Sequence, residues 1–262
     1  MKKTIRYLLL AIGMVQALLA VAFIVQWQLV LDVWPFPGTT SLTFIFVASI
    51  LAAAAASQLW AAGTENYGAM AGIGLDYLAI FAALTVISLN LDTVAQPNRL
   101  IYAALAAITA LFGLALFAWA SRVPIDPRPA QPRLVRWSFM VFVVGLFVVG
   151  GLVVLGTQDV IPWSITPELA AVVGWMFIGA ALYFVYGVLR HSWLNSAGQL
   201  LGFLAYDVVL ILPFAARLGT TPTQFFAGLV VYIVVLLYSG TLAFYYLFIY
   251  PPTRRRTWMR QL

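Results

Sequence analysis

The chain has 262 residues, of which 64% are hydrophobic and only 8% are charged, and it contains no cysteine. A soluble domain carries about 25% charged residues, so this composition excludes a solvated globular surface. The lack of cysteine excludes disulfides, iron–sulfur clusters and thiolate metal sites. The net charge of +6 is also a feature of nucleic-acid binding proteins, but here the basic residues flank apolar segments. We therefore expect no nucleic-acid partner.

The first half of the chain contains four apolar segments, each with the ~20 residues that a helix needs to cross a bilayer core. They cover about residues 7–26, 41–62, 69–91 and 100–120. Basic residues precede the first segment, and Ala20-Val21-Ala22 lies near its end, which is also typical of a cleaved signal peptide. We expect a retained helix, because the segment is long for a signal core and the second half contains a counterpart.

A basic connector, Ser121–Arg136, separates this half from the next; it contains four arginines, four prolines and one acid, Asp126. Four more apolar segments follow, at about residues 135–156, 167–189, 198–217 and 222–249. The sequence thus predicts an all-α, polytopic transmembrane bundle of eight helices. Its two halves are residues 1–128, with the connector, and residues 129–262, with a basic C-terminal tail.

The positions of the basic residues predict the orientation in the membrane. With the N-terminus inside, 12 of the 14 lysines and arginines lie on the inner side, including Arg260 in the tail, and only Arg99 and Arg217 lie outside. We expect an integral protein of a bacterial plasma membrane with both termini cytoplasmic. The bilayer itself, anionic lipid headgroups at the inner arginines and other membrane subunits are the expected partners.

The two halves repeat a short sequence. Asp32-Val-Trp-Pro-Phe36 returns as Asp159-Val-Ile-Pro-Trp163, 127 residues later. A similar alignment, with a small insertion, sets Asp76 opposite Asp207. The pattern predicts a parallel four-plus-four repeat about an axis along the membrane normal. Chance similarity between apolar sequences is the alternative.

The repeated loops supply the candidate interfacial residues, which are Asp32, Trp34, Pro35, Asp159, Pro162 and Trp163. A proline beside an aromatic favours a turn seated at the headgroup level, and a ligand-gating loop is the alternative. Trp34-Pro35-Phe36 before a membrane helix resembles segments of uncharacterised multi-pass bacterial membrane proteins. The resemblance covers the two loops and the adjoining helix starts, and it implies no activity. The second loop departs from it with Ile161 in place of tryptophan.

Asp76 and Asp207 are the charged residues that lie well inside predicted helices. We expect each of them in the inner third of its segment. Such residues are costly in a membrane and usually face the bundle interior. Four roles are open: a structural carboxyl, proton or cation coupling, a ligand counter-ion, and catalysis. If both faced the axis between the halves, two close carboxylates would share a proton.

Catalytic and cofactor roles have little sequence support. Tyr206-Asp207 and the glycines before Asp76 resemble the two motifs of intramembrane aspartyl proteases. Their order is reversed here, Leu75 interrupts the Gly-x-Gly-Asp pattern, and no proline-alanine-leucine motif follows. His191 is the sole histidine, which leaves zinc and haem without a ligand set. We expect no cofactor, no metal and no catalytic residue.

Two functional hypotheses remain. The first is a non-catalytic binding or assembly component of a membrane complex, which the lack of a catalytic motif favours. The alternative is a proton-coupled or small-solute transporter that uses Asp76 and Asp207, and an intramembrane aspartyl protease is a remote third. A sealed, dry bundle interior would favour the first hypothesis, and a polar cavity between the halves would favour the transporter.

Overall fold

The computed structural model describes residues 2–36, 38, 40–92, 96–157 and 159–259, so Arg260 lies outside it. Within these ranges the protein is all-helical and has no strands. The ten α-helices are α1 (Lys2–Ile24), α2 (Gln28–Val33), α3 (Ser41–Thr64), α4 (Met70–Leu89), α5 (Arg99–Ala120), α6 (Arg133–Val154), α7 (Pro167–Leu189), α8 (Trp193–Ala215), α9 (Thr223–Phe244) and α10 (Pro251–Thr257). Eight of them, all except α2 and α10, are long and apolar enough to span a membrane. The predicted fold class is confirmed.

The start of α8 differs most from the sequence prediction. The helix begins at Trp193, five residues before the predicted Gly198. Ser192 caps it, because its hydroxyl accepts a hydrogen bond from the backbone N–H of Asn195 at 3.2 Å. Asn195 and Gln199 lowered the local hydropathy, but both are buried by protein. The longer helix also moves Asp207 from the predicted inner third to beyond the midpoint of α8.

The eight long helices form a central group and an outer group. Within each half, α1 packs on α3, α4 on α5, α6 on α7 and α8 on α9. The halves meet through α3 against α8 and α4 against α7, which we call the two seams. The apolar windows of α3, α4, α7 and α8 are 44–56% buried, against 22–28% for the other four helices. The central helices are therefore the place to look for a protein-enclosed site, whereas the outer helices face lipid.

The helix pairing has a simple symmetry. When α1, α3, α4 and α5 are exchanged, in this order, with α6, α7, α8 and α9, every packed pair of helices is replaced by another packed pair. This pairing is what two superposable halves require. The four-plus-four repeat and the boundary between the halves remain predictions that the pairing supports.

One end of the bundle holds both termini, the connector and the α7–α8 turn, and we call it the basic end. There α10 folds beneath the α3·α8 seam. The indole Nε1 of Trp60 on α3 donates to the Thr257 carbonyl at 2.8 Å, and that of Trp193 on α8 donates to the Thr257 hydroxyl at 3.1 Å. The C-terminal helix therefore closes the seam at this end.

The opposite, distal end of the same seam is closed by Trp163. Its ring is 2% exposed and lies 5.6 Å from Phe46 on α3 and 5.8 Å from Phe214 on α8. That the loop of Trp163 lies at the headgroup level stays a prediction, but the Trp163 side chain is buried by protein rather than exposed on the loop. The indole fills the gap between two central helices, because its area is buried more completely there than at an interface.

Candidate functional site

The carboxyl of Asp76 lies on the α4·α7 seam. A Cβ atom added at Gly179 of α7 would be 2.5 Å from its oxygen Oδ1, so the lack of a side chain at Gly179 makes room for the acid. Oδ1 is buried and has no hydrogen-bond partner, while the Asp76 side chain as a whole is half-buried. The seam thus contains an acid whose buried oxygen lacks a donor.

Tyr183 connects this seam with the other one. It lies one turn from Gly179 on α7, and its ring fills the space left by Gly72 on α4, where an added Cβ would be 2.5 Å from Tyr183 Cδ2. Its hydroxyl lies near Gly198 on α8, where an added Cβ would be 3.7 Å from the hydroxyl oxygen. Ser57 on α3 donates to the Gly198 carbonyl at 2.8 Å. The Tyr183 side chain therefore lies against α4 and α8, beside the hydrogen bond that joins α3 to α8.

A chain of amides and hydroxyls extends the polar cluster toward α1. The Gln16 amide of α1 donates to the Tyr77 hydroxyl, which donates to Gln58 Oε1 at 3.2 Å. The Gln58 amide nitrogen donates to the Leu9 carbonyl at 2.8 Å. Oε1 of Gln16 is buried without a partner. Gln16 and Gln58 thus bond between helices, and their bonds meet at Tyr77, the neighbour of Asp76 in sequence.

Gln199 completes the cluster from α8. Its amide nitrogen donates to the Tyr183 carbonyl at 2.5 Å, and its oxygen Oε1 lies against Gly187 and has no hydrogen-bond partner. Interhelical hydrogen bonds of this kind hold membrane helices together. Three buried acceptors of the cluster therefore lack donors: Gln199 Oε1, Asp76 Oδ1 and Gln16 Oε1.

Asp207 lies apart from this cluster, between α8 and α9. Its side chain is 4% exposed, and its oxygen Oδ1 accepts a hydrogen bond from the Ser239 hydroxyl at 3.0 Å. Oδ2 is buried without a partner and lies against Gly240. Asp207 is therefore held within the second half, whereas Asp76 lies between the halves.

The glycine contacts change the predicted equivalence of the two acids. Gly113 on α5 and Gly240 on α9 are 127 residues apart, the same interval as the repeated loops. A Cβ at Gly113 would be 2.9 Å from Tyr77 Cβ, and a Cβ at Gly240 would be 3.5 Å from Asp207 Cβ. Under the predicted repeat, these contacts would set Asp207 opposite Tyr77 rather than opposite Asp76. The two acids face different helices.

The repeated loops are built differently from each other. Asp32 is exposed within α2 and accepts from the Gln28 amide at 2.6 Å. The half-buried Trp34 lies 5.3 Å from Phe23, ring to ring, beside half-buried Pro35. In the second loop Asp159 is exposed, whereas Pro162 is buried with Trp163. None of these residues contacts the polar cluster around Asp76 in the hydrogen bonds of the described residues.

No metal site is present among the described residues, in which no group of three or more His, Cys, Asp or Glu side chains converges. His191 lies in the α7–α8 turn, where its ring nitrogen Nδ1 bonds the Val188 carbonyl at 3.0 Å. Comparison with protein-family models, with curated proteins and with solved structures finds no match for the chain. The site must therefore be interpreted from its own geometry.

Two members of the cluster, Tyr183 and Gln199, escaped the sequence analysis. Tyrosine and glutamine in an apolar segment carry no motif, and hydropathy does not give the rotation of a helix about its axis. The available signal was the set of glycines at Gly72, Gly179 and Gly187. Each stands opposite a polar side chain of a neighbouring helix.

Proposed function

We propose that the protein is a proton-coupled carrier of a small solute and that Asp76 binds the proton. The observation that supports this best is the unpartnered, buried Oδ1 of Asp76 at the junction of the two halves. An acceptor without a donor costs free energy until a proton, a cation or a polar ligand reaches it. Ionisable side chains inside membrane helices mark ion and substrate paths by default.

The position of Asp76 supports coupling. Transporters built from internal repeats hold their sites near the bilayer midplane, at the interface between repeats. Asp76 lies near the middle of the Tyr67–Leu89 span, on one of the two seams that join the halves. A ligand bound there contacts α4 and α7 together, so it can bias the position of one half relative to the other.

In this proposal Tyr183 connects Asp76 with the second seam. Its hydroxyl can accept one hydrogen bond and donate another, and it lies near Gly198, whose carbonyl accepts from Ser57 on the α3·α8 seam. A change in the protonation of Asp76 would alter the electrostatic field at this hydroxyl and so affect the α3·α8 seam. Asp207 has its own donor in Ser239, so the shared-proton pair of the sequence analysis is replaced by a single coupling acid.

The closure of the α3·α8 seam at both ends fits a carrier between its two open forms. Trp163 fills the distal end, and α10 covers the basic end. Alternating access requires that at most one of these closures opens at a time. The polar cluster between them would then be reached from one side and afterwards from the other.

The test uses the full chain reconstituted in liposomes that contain a pH-sensitive dye. An imposed membrane potential should drive proton entry that Asp76→Asn lowers at least about tenfold, since asparagine keeps the size of the side chain but cannot cycle a proton. Asp159→Asn, which neutralises an exposed loop acid, is the matched control and should behave as wild type. Proton entry no faster than in protein-free liposomes, or equal entry in Asp76→Asn and wild type, overturns the proposal.

A specific observation also favours the binding or assembly hypothesis. Large aromatic side chains fill the distal end, and neither of the two described cavities, both at the basic end, is lined by Asp76 or Asp207. If the folded wild-type protein moves no protons, the role of a membrane scaffold subunit is favoured. Migration of the full chain from its native membrane as a complex larger than the purified chain would then support that role.

A further inference from the structure

A second site lies at the basic end, away from Asp76. The connector and the α7–α8 turn enclose a cavity of about 440 Å³. Arg122, Arg190 and His191 line it together with the hydroxyls of Ser121 and Ser192. No acid contributes to its lining. The cavity therefore presents cations and hydroxyl donors to any occupant.

The charges in this cavity are not neutralised by the protein. Among the described residues, neither Arg122 nor Arg190 forms an ion pair with an acid. The nearby acid, Asp126, accepts from the backbone N–H of Arg128 at 2.9 Å and lies 3.9 Å from the Arg256 guanidinium. Two exposed guanidinium groups thus share one concave surface without a counter-ion from the chain.

The backbone holds the cavity in shape. The Gln131 N–H donates to the His191 carbonyl at 3.1 Å, and the Trp193 N–H donates to the Pro129 carbonyl at 3.0 Å. These bonds tie the connector to the α7–α8 turn, so the two arginines are presented from two segments that are fixed together. A pre-organised pair of guanidinium groups binds phosphate oxygens more strongly than mobile ones do.

Part of the cavity lining is apolar. Val123, Ile125 and Leu189 contribute to it, and Leu189, the last residue of α7, is 67% exposed. The cavity therefore combines a cationic half with an apolar half that is open at Leu189. A molecule with a phosphate head and a hydrocarbon tail matches both halves, and basic pockets between membrane helices bind such headgroups.

From this geometry we infer a phosphate-binding site whose cationic half, Arg122 and Arg190, holds the phosphate group of an anionic phospholipid or of a soluble phosphate compound. The Ser192 hydroxyl provides a further donor to the phosphate oxygens. The apolar half favours the phospholipid as the source. The inference does not depend on proton-coupled transport, since no residue of this cavity belongs to the Asp76 cluster.

The experiment is native mass spectrometry of the full chain in detergent, titrated with phosphatidylglycerol, with phosphatidylcholine or with inorganic phosphate. We expect one retained phosphatidylglycerol, and about tenfold or greater weakening in the double variant Arg122→Gln/Arg190→Gln, because two basic contacts are lost. The matched control is Arg133→Gln/Arg136→Gln, which removes the same charge from exposed positions at the basic end outside the cavity.

Each outcome of this titration is decisive. Retention of phosphatidylglycerol that depends on Arg122 and Arg190, but not on Arg133 and Arg136, supports the site with a lipid source. Retention of inorganic phosphate alone, with the same dependence, supports the site with a soluble source. Equal weakening in both double variants, or no retention of any of the three probes by a folded wild type, overturns the inference.

Discussion

Replacing Gly179 by alanine adds one methyl group beside the Asp76 carboxyl. The new Cβ would lie 2.5 Å from Asp76 Oδ1 and 2.6 Å from Ile80 Cγ1, whereas ordinary van der Waals contacts begin at about 3.4 Å. The carboxyl must therefore move by about 1 Å, because its side chain gives way more easily than the backbone. A misplacement of about 1 Å at a reacting group can cost about a hundredfold in rate. We expect proton entry in reconstituted liposomes to fall at least about tenfold.

The stability of Gly179→Ala should change much less than its activity. Overpacking costs about 1–3 kcal/mol, and replacing a glycine inside a helix by alanine returns about 0.5–1 kcal/mol. Gly151→Ala measures the gain from replacing a helical glycine without any overpacking, because nothing lies within 4 Å of its added Cβ. Unfolding by sodium dodecyl sulfate in mixed micelles measures both variants. Full proton entry in Gly179→Ala would refute the reasoning about the Asp76 carboxyl, whatever its stability.

Three further predictions follow from packing and charge. Gly113→Ala should be about 1–3 kcal/mol less stable than Gly151→Ala in the same unfolding assay, because its Cβ would lie 2.7 Å from the backbone nitrogen of Leu78; equal stabilities would contradict the close approach of α4 and α5. Trp163→Ala should lose about 3–5 kcal/mol, and a loss under about 1 kcal/mol would mean that Trp163 does not fill the distal end. Reporter fusions after Arg128 should read cytoplasmic and fusions at Asp159 external, and an external reading at Arg128 would refute the orientation.

Hydropathy was sufficient for the membrane spans because a long apolar segment must form a helix in lipid. It was insufficient where polar residues are buried by protein. Asn195 lies in the first turn of α8, which was predicted as a loop, although its amide nitrogen bonds the Arg190 carbonyl just after α7. A window average cannot distinguish a polar side chain that faces water from one that bonds a neighbouring helix.

The rotation of each helix was also beyond the sequence. In a soluble protein the polar face of a helix points to water, but in a bilayer both lipid and protein interior are apolar, so the pattern that would orient the helix is weak. Trp163 was therefore predicted at the interface and is found between α3 and α8. Whether Asp76 and Asp207 meet was left open by the sequence, and in the structure they face α7 and α9, respectively.

The difference between the two acids bears on how the halves work together. Tyr77 bonds Gln16 and Gln58, and Asp207 bonds Ser239, so each ties helices of its own half. Both acids lie against a glycine, and each has one buried oxygen without a donor. Asp76 differs in its position, because it lies on a seam between the halves. A group whose contacts all lie within one half is unaffected when the other half moves. A group between the halves gains or loses contacts when they move. This is the physical reason to assign coupling to Asp76 and a structural role to Asp207.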